Sequence, residues 1–324
     1  MSIDKSVEYT DCRDAVFQEI FALAKKDPNV MVLSADTGAF IFNQFKKELP
    51  NQFFYTGITE QNTMSVAAGL ARMGRKPFVF GISNFVTLRC LEQVRIDVCG
   101  MNLPVTILGT GTGLIYSADG LTHHITEDIS VMRSLPNMQI FSPSDHNSLA
   151  SIVHTAYRSN GPCYIRFDKG PFVRKYDFDP DVTVFGSVYY SHLQKSIYII
   201  ANGVTVDIAL KVQELLLNRK LPIDIGVIDV IRLKPFGLSG LASLLKNRAF
   251  RILTLEEHNI IGGLGTIVQE FIAENNLNIP VIKLGIPDTF VTEVGSRDHL
   301  RKLYGIDAES IVEKILKDYD ESNS

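Results

Sequence analysis

Residues able to do chemistry gather in a few short stretches, and the first, Tyr55 to Gly74, reads YTGITEQNTMSVAAGLARMG. It sets Glu60 behind a glycine and two threonines and ahead of a run rich in Ala, Met and Leu. The mixed three- and four-residue spacing of that run predicts a helix packed tightly on most sides. A carboxylate in a helix's first turn has an ordinary explanation, because free backbone N–H groups and the macrodipole favour negative charge there by roughly 0.3–1 kcal/mol. The residues before it, FFYTG, read as a buried strand ending at Gly57, so Glu60 falls just past a strand's carboxyl end. Open α/β sheets place their ligands there, which makes Glu60 a candidate functional carboxylate.

Three further stretches offer reactive groups at similar places. SADTG closes the first strand with Asp36 at its carboxyl end, where an Asp serves equally as a turn or cap residue. FGISNFVTLRCLEQVR follows the third strand and puts Phe85 in the loop or first helical turn, as a core aromatic or a stacking platform. GTGTGLIYSADGLTHHITED is the longest polar loop and carries Asp119, His123 and His124, offering acid, base and hydrogen-bonding groups together. Its glycines match neither a GxGxxG nor a GxxxxGK[ST] pattern. EEHNIIGGLG, from Glu256 to Gly265, is a second glycine turn into a helix, with a structural or subunit-contact role expected.

Short apolar runs alternate with helical patterns and must position these residues, which predicts βαβ units and mainly parallel sheets. The first set of strands is VMVLSAD, QFFYTG, KPFVFG, PVTILGTG, MQIFSPS and PCYIRF, with helices near Tyr9–Lys26, Glu60–Met73, Thr87–Val98, Ile125–Arg133 and His146–Ser159. The second set is SIYIIANG, IDIGVIDV, RILTLEE and PVIKLGI, with helices near Thr205–Asn218, Leu238–Lys246, Gly265–Glu274 and Ser310–Lys317. An Asp-, Lys- and Pro-rich segment between them lacks clear period. The expected organisation is one α/β domain over 1–172, a linker over 173–190 and a second α/β domain over 191–324.

The chain has 324 residues, 45% hydrophobic and 21% charged, enough for two ordinary globular cores. A net charge of -4 gives no basic stripe for nucleic acid. No apolar run approaches the roughly 20 residues that span a bilayer, and no charged-then-apolar leader opens the chain. Cys12, Cys90, Cys99 and Cys163 match neither a CxxC pair nor a zinc set, so buried thiols in a reducing compartment, the cytoplasm, are expected. The adjacent pair His123 and His124 cannot both face one metal on a regular element, and a metal site built by this chain alone is not expected.

GITEQNTMSVAAGLA, NFVTLRCLEQVR, DGLTHHITEDISVMRSLPNMQIFSPSD, CYIRFDKGP and TLEEHNIIGGLG, in that order, resemble transketolases over nearly the whole chain. The likeness is to their carboxyl-terminal half, a pyrimidine-binding domain followed by the C-terminal domain. It implies that Glu60 hydrogen-bonds the aminopyrimidine of thiamine diphosphate, a task that burial would assist by raising the carboxyl's pKa. It implies that Phe85 stacks on that ring, with Ile58 and Asp36 beside the cofactor. Asp119 and His123 match residues that touch the sugar hydroxyls and the reacting carbonyl. His124 stands where relatives usually carry Gln, so its role is open.

Two departures qualify the likeness. The family holds the diphosphate and its Mg²⁺ with a GDG sequence and an Asn in an amino-terminal domain, and no GDG occurs here. The resemblance therefore implies a split enzyme, with a separate amino-terminal subunit completing the cofactor site, a homodimer contact between copies of this chain and a heterotetramer overall. Where full-length relatives grip a substrate phosphate with His and Arg, this chain has Gly111 and Lys169; lysine is a point charge without arginine's fork. An acceptor with another end group is thus expected. Ketol transfer between sugars is the leading reading. A deoxyxylulose-phosphate-synthase-like condensation, a 2-oxo acid dehydrogenase beta-type subunit, or a non-catalytic assembly partner are the alternatives.

Overall fold

The computed structural model describes residues 11–170, 188–189, 196–219, 224–236 and 240–322. Among the described residues, twelve strands run in chain order as β1 Val30–Ser34, β2 Phe53–Tyr55, β3 Lys76–Ile82, β4 Thr106–Thr110, β5 Gln139–Phe141, β6 Cys163–Phe167, β7 Val188–Tyr189, β8 Ser196–Ala201, β9 Ile225–Asp229, β10 Arg232–Lys234, β11 Ala249–Asn259 and β12 Val281–Ile286. They form a seven-stranded sheet in the order β10-β5-β6-β4-β3-β1-β2 and a five-stranded sheet in the order β12-β11-β8-β9-β7. Within the first sheet β1 to β6 pair in parallel and β10 pairs antiparallel with β5; within the second, β7 pairs antiparallel with β9. All six parallel strands of the first sheet thus end at one edge.

Alternation along each strand sorts its side chains between two cores, as both faces of a parallel sheet are covered. Leu33, Val79, Ile107, Ile140 and Tyr164 face one side, packing with Met64, Ala67, Ala68 and Ala71 of the helix Glu60–Arg72. Val32, Phe80, Leu108, Phe141 and Ile165 face the other, against Phe17 and Ile20 of the helix Cys12–Ala24. The first of these cores continues into the second sheet through Tyr198, Ile200, Ile228, Val230, Ile252 and Ile267. A separate cluster, with Ile199, Val212, Leu255 and Ile311, covers the second sheet's outer face.

The parallel strands fall where the apolar runs predict, and the differences are local. The expected helix Thr87–Val98 is broken into Ser83–Thr87, Leu91–Gln93 and a wide turn at Val94–Cys99. There the Cys90 thiol donates to the Phe85 carbonyl at 3.0 Å, engaging an acceptor that a regular helix would use. Strand β10, three residues long, comes from the second half of the chain yet completes the first sheet. Short helices at Phe42–Glu48 and Arg297–Leu303 are additional. Of the expected linker, only Val188 and Tyr189 are described, as β7; the rest lies outside the described residues, as does the start of the first expected helix. Among the described residues, no helix is long and apolar enough to cross a membrane.

Candidate functional site

Every site residue expected in the first domain follows the carboxyl end of a parallel strand: Asp36 after β1, Ile58 and Glu60 after β2, Phe85 after β3, Asp119 and His123 after β4, and Lys169 after β6. The chain leaves β2 through Gly57, at φ +69°, and enters the helix Glu60–Arg72 over a threonine cluster. The Thr63 hydroxyl donates to the Thr59 carbonyl at 2.9 Å and meets the Thr56 hydroxyl at 2.7 Å, so the two threonines ahead of Glu60 brace the helix entry. Glu60 is its first residue and is only 5% exposed. Its Oε2 accepts from Arg89 Nη1 at 2.9 Å.

From Glu60 a continuous row of side chains leads across the sheet edge. The Arg89 guanidinium lies over the Phe85 ring, 4.0 Å from its centroid. Phe85 meets the His123 ring edge-on at 5.3 Å, His123 meets Tyr116 at 5.6 Å, and Lys169 Nζ stands 5.3 Å from the Tyr116 centroid. The loop bearing His123 is tied to the helix bearing Phe85 by Asn84 Nδ2, which donates to the Thr122 carbonyl at 2.8 Å. The row therefore brings together Glu60, Phe85, His123 and Lys169, with Arg89 and Tyr116 between them. Asp36 lies off it, in the left-handed region at φ +46°, where the Tyr55 hydroxyl donates to its carboxylate at 2.5 Å. Ile58 is 70% exposed. Asp119 is exposed too, its backbone N–H donating to the Tyr116 carbonyl at 2.9 Å. His124 is buried beneath the loop, and that burial lowers its pKa.

Gly111 has a definite steric reason to be glycine. Its φ is +80°, and a Cβ there would sit 2.0 Å from the Tyr116 ring, so the tyrosine occupies the room a larger residue would need. Burial raises the Tyr116 pKa. The row's lysine end is accordingly walled by an aromatic ring.

The second domain meets the loop through the stretch Glu256 to His258. Glu257 Oε2 accepts the Leu114 N–H at 3.1 Å and pairs with Arg297 Nη2 at 2.7 Å, while Arg301 Nε reaches Oε1 at 2.6 Å. Burial alone would raise the Glu257 pKa, but the two guanidinium groups hold it down to about 2. Glu256 accepts from the first N–H groups of the helix Leu264–Glu274, Leu264 at 2.6 Å and Gly265 at 2.8 Å. Its burial nevertheless pushes its pKa up to about 7. His258, fully buried, is pushed down to about 4. Opposite it, burial would raise Asp128, but Arg166, at 2.8 Å, holds that carboxyl below its ordinary value. Among the described residues, no cluster of three or more His, Cys, Asp or Glu side chains is placed to hold a metal ion.

Sequence reasoning passed over Arg89, Tyr116 and Arg297. Arg89 carried one usable signal, its i,i+4 spacing from an aromatic.

A mainly parallel sheet with a row of charged and aromatic side chains along its carboxyl edge, buttressed by a second mainly parallel sheet, defines a two-domain α/β protein whose candidate reactive groups sit at strand ends. Residues 8–172 match the transketolase pyrimidine-binding domain, and residues 186–311 the transketolase C-terminal domain. The chain is 34% identical over 307 residues to an apulose-4-phosphate transketolase subunit of Phocaeicola vulgatus, covering 94% of this chain and 96% of that one. It is 35% identical over 310 residues to 1-deoxy-D-xylulose-5-phosphate synthase of Halothermothrix orenii, covering 94% of this chain and 47% of that protein. A solved structure described as a split gene transketolase, an inactive beta4 tetramer, superposes with a TM-score of 0.82 at 32% identity, covering 95% of this chain and 97% of that one. The chain belongs to the transketolase family, as the carboxyl-terminal section of a split transketolase.

Proposed function

We propose that this chain is the half of a thiamine-diphosphate-dependent transketolase that carries the aminopyrimidine and sugar sites, moving a two-carbon ketol unit from a ketose to an aldose. The observation that carries the reading is Glu60, a carboxylate 5% exposed at a helix start, in one row with Phe85 and His123. Such a set suits a flat, weakly basic heterocycle: the carboxyl shares a proton with a ring nitrogen, and the half-buried Phe85 ring offers a face for stacking. Arg89 engages Oε2, leaving Oε1 for that nitrogen. Ile58 and Asp36 flank the same edge. When bound, the cofactor supplies the carbon nucleophile and electron sink for breaking a carbon–carbon bond next to a carbonyl.

This chain's residues then do the rest of the work at the sugar. His123 moves a proton at the sugar's reacting oxygen, and Asp119 accepts from its hydroxyls. Lys169, beside Tyr116, holds an anionic end group as a point charge. The relative named for apulose 4-phosphate supports an anionic sugar, and the Tyr116 wall in place of a residue at 111 supports an end group seated differently from the family's usual one.

The diphosphate and Mg²⁺ belong to a separate amino-terminal subunit in this reading, since the chain carries no GDG. The neighbour described as an inactive tetramer of beta chains supports that dependence. Phe40, 84% exposed, and Ile58 lie at the edge where another copy and the partner would meet, in an assembly of two chains of each kind. Four buried cysteines, none of them in a disulfide, suit the reducing cytoplasm.

The test is ketol transfer by the chain with and without the amino-terminal subunit, with thiamine diphosphate and Mg²⁺. The panel holds phosphorylated, otherwise anionic and uncharged ketoses. Activity only in the mixture, and a Glu60→Gln loss of about 100-fold or more with cofactor still bound, is the expected result. A cofactor-loaded mixture that stays inert with ketoses but condenses pyruvate with an aldose phosphate would replace this reading by a deoxyxylulose-phosphate-synthase-like one. Inertness to both would leave a non-catalytic partner.

A further inference from the structure

Resting on that reading, the geometry points to Arg297 of the second domain as the positioning residue that readies Lys169 and the substrate loop for an anionic sugar end. Its guanidinium forks between two buried carboxylates, Nη1 to Asp168 Oδ2 at 2.6 Å and Nε and Nη2 to Glu257 at 2.9 and 2.7 Å. Each carboxylate in turn holds one backbone N–H of a segment that bears substrate groups. Asp168 Oδ1 accepts from Lys169 N at 2.8 Å, and Glu257 Oε2 accepts from Leu114 N at 3.1 Å. One side chain from the second domain thereby fixes both the start of the loop carrying Asp119 and His123 and the end of β6.

Charge gives the arrangement its consequence for binding. Asp168 is the immediate neighbour of Lys169, and left to itself would draw that ammonium inward. Its charge is instead taken up by Arg297, and the Lys169 ammonium stands over the Tyr116 ring. Arg301 balances Glu257, so the two buried carboxylates and the two guanidinium groups cancel, with the exposed Asp298 at the rim 3.3 Å from Arg301, and the cluster offers no net positive charge to compete for a substrate anion. The same segment follows the loop further: Gly295 N–H donates to the Ser117 carbonyl at 3.5 Å, and Val294 lies 3.5 Å from where a Cβ on Gly120 would be. Planar, bidentate geometry is something lysine cannot reproduce.

The experiment compares Arg297→Lys and Arg297→Ala with wild type in the mixture with the amino-terminal subunit, using a sugar phosphate and its uncharged counterpart as donors. Thiamine diphosphate affinity is measured calorimetrically in parallel. Expected is a KM for the sugar phosphate raised about 10-fold or more in both variants, with kcat within about threefold and cofactor affinity unchanged. The uncharged sugar's KM moves little. Added guanidinium restores the low KM to Arg297→Ala but leaves Arg297→Lys as it is. Arg297→Lys retains the buried charge, so it keeps the test open should Arg297→Ala fail to fold. Equal KM increases for both sugars, or a parallel loss of kcat and cofactor affinity, would show that Arg297 only supports the fold. A wild-type mixture that is inert, or indifferent to Glu60→Gln, overturns the functional reading and this inference with it; activity lost in Glu60→Gln but no anion-selective effect at Arg297 overturns this inference alone.

Discussion

Glu256 and His258 are buried two residues apart and respond to pH in opposite directions. Burial holds Glu256 at about 7, against an ordinary 4.5, so the folded chain keeps its proton where the unfolded chain has lost it. Stability from Glu256 is complete below pH 4.5 and drains away as pH rises toward 7. His258 sits at about 4 against 6.5, so its contribution is complete above pH 6.5 and drains away as pH falls toward 4. Across pH 4.5–6.5 the two slopes oppose each other, each at most about 1.4 kcal/mol per pH unit. Urea unfolding at pH 5 and pH 6 should therefore show Glu256→Gln gaining stability as pH rises and His258→Gln losing it, with wild type flatter than either. Below pH 4.5 Glu257, held at about 2, adds its own loss. At this scale the sequence exposed the residues that sit in motifs just past strand ends, such as Glu60, Phe85 and His123. Arg297 could not be read, because its meaning depends on a carboxylate 129 positions away. Tyr116 could not be read either, because it depends on the positive φ of Gly111.

Elements show how the loop and the sheet are secured. A Cβ on Gly113, at φ +58°, would come within 2.5 Å of Glu257 Oε2 and 2.9 Å of its backbone oxygen. Gly113→Ala should cost about 1–2 kcal/mol for the left-handed backbone alone and more for the contact, and a drop in thermal midpoint would register it. Lys234 in β10 donates to the Arg133 carbonyl at 2.8 Å and to the Leu135 carbonyl, around the end of the helix Asp128–Arg133. Lys234→Met removes these charge-assisted bonds, and a loss of about 1–3 kcal/mol, with faster amide exchange in β5 and β10, is expected. Apolar runs flanked by turn residues made the long parallel strands legible. Three-residue β10 was not, since so short a run has no period and its partner lies some ninety positions earlier.

The two sheets share one apolar core, and that decides how the whole molecule behaves. With Tyr164 from the first sheet and Tyr198 from the second in the same cluster, neither domain can lose its packing alone. Denaturant unfolding followed by far-UV circular dichroism and by tyrosine absorption should give one coincident transition; separated midpoints would show two independent cores. The two alternating sets of strands were plain in the sequence, but the joint between them was not, because apolar spacing records that a face is covered and not by what. Strand β10 bears on synthesis as well. As the chain leaves the ribosome, Gln139–Phe141 must wait as an open sheet edge until residue 234 has emerged, well after every other strand of that sheet is available. For that interval the nascent protein offers a bare, apolar pairing edge to its neighbours, so the hazard of misassembly in this fold is set by the order of translation as much as by final stability.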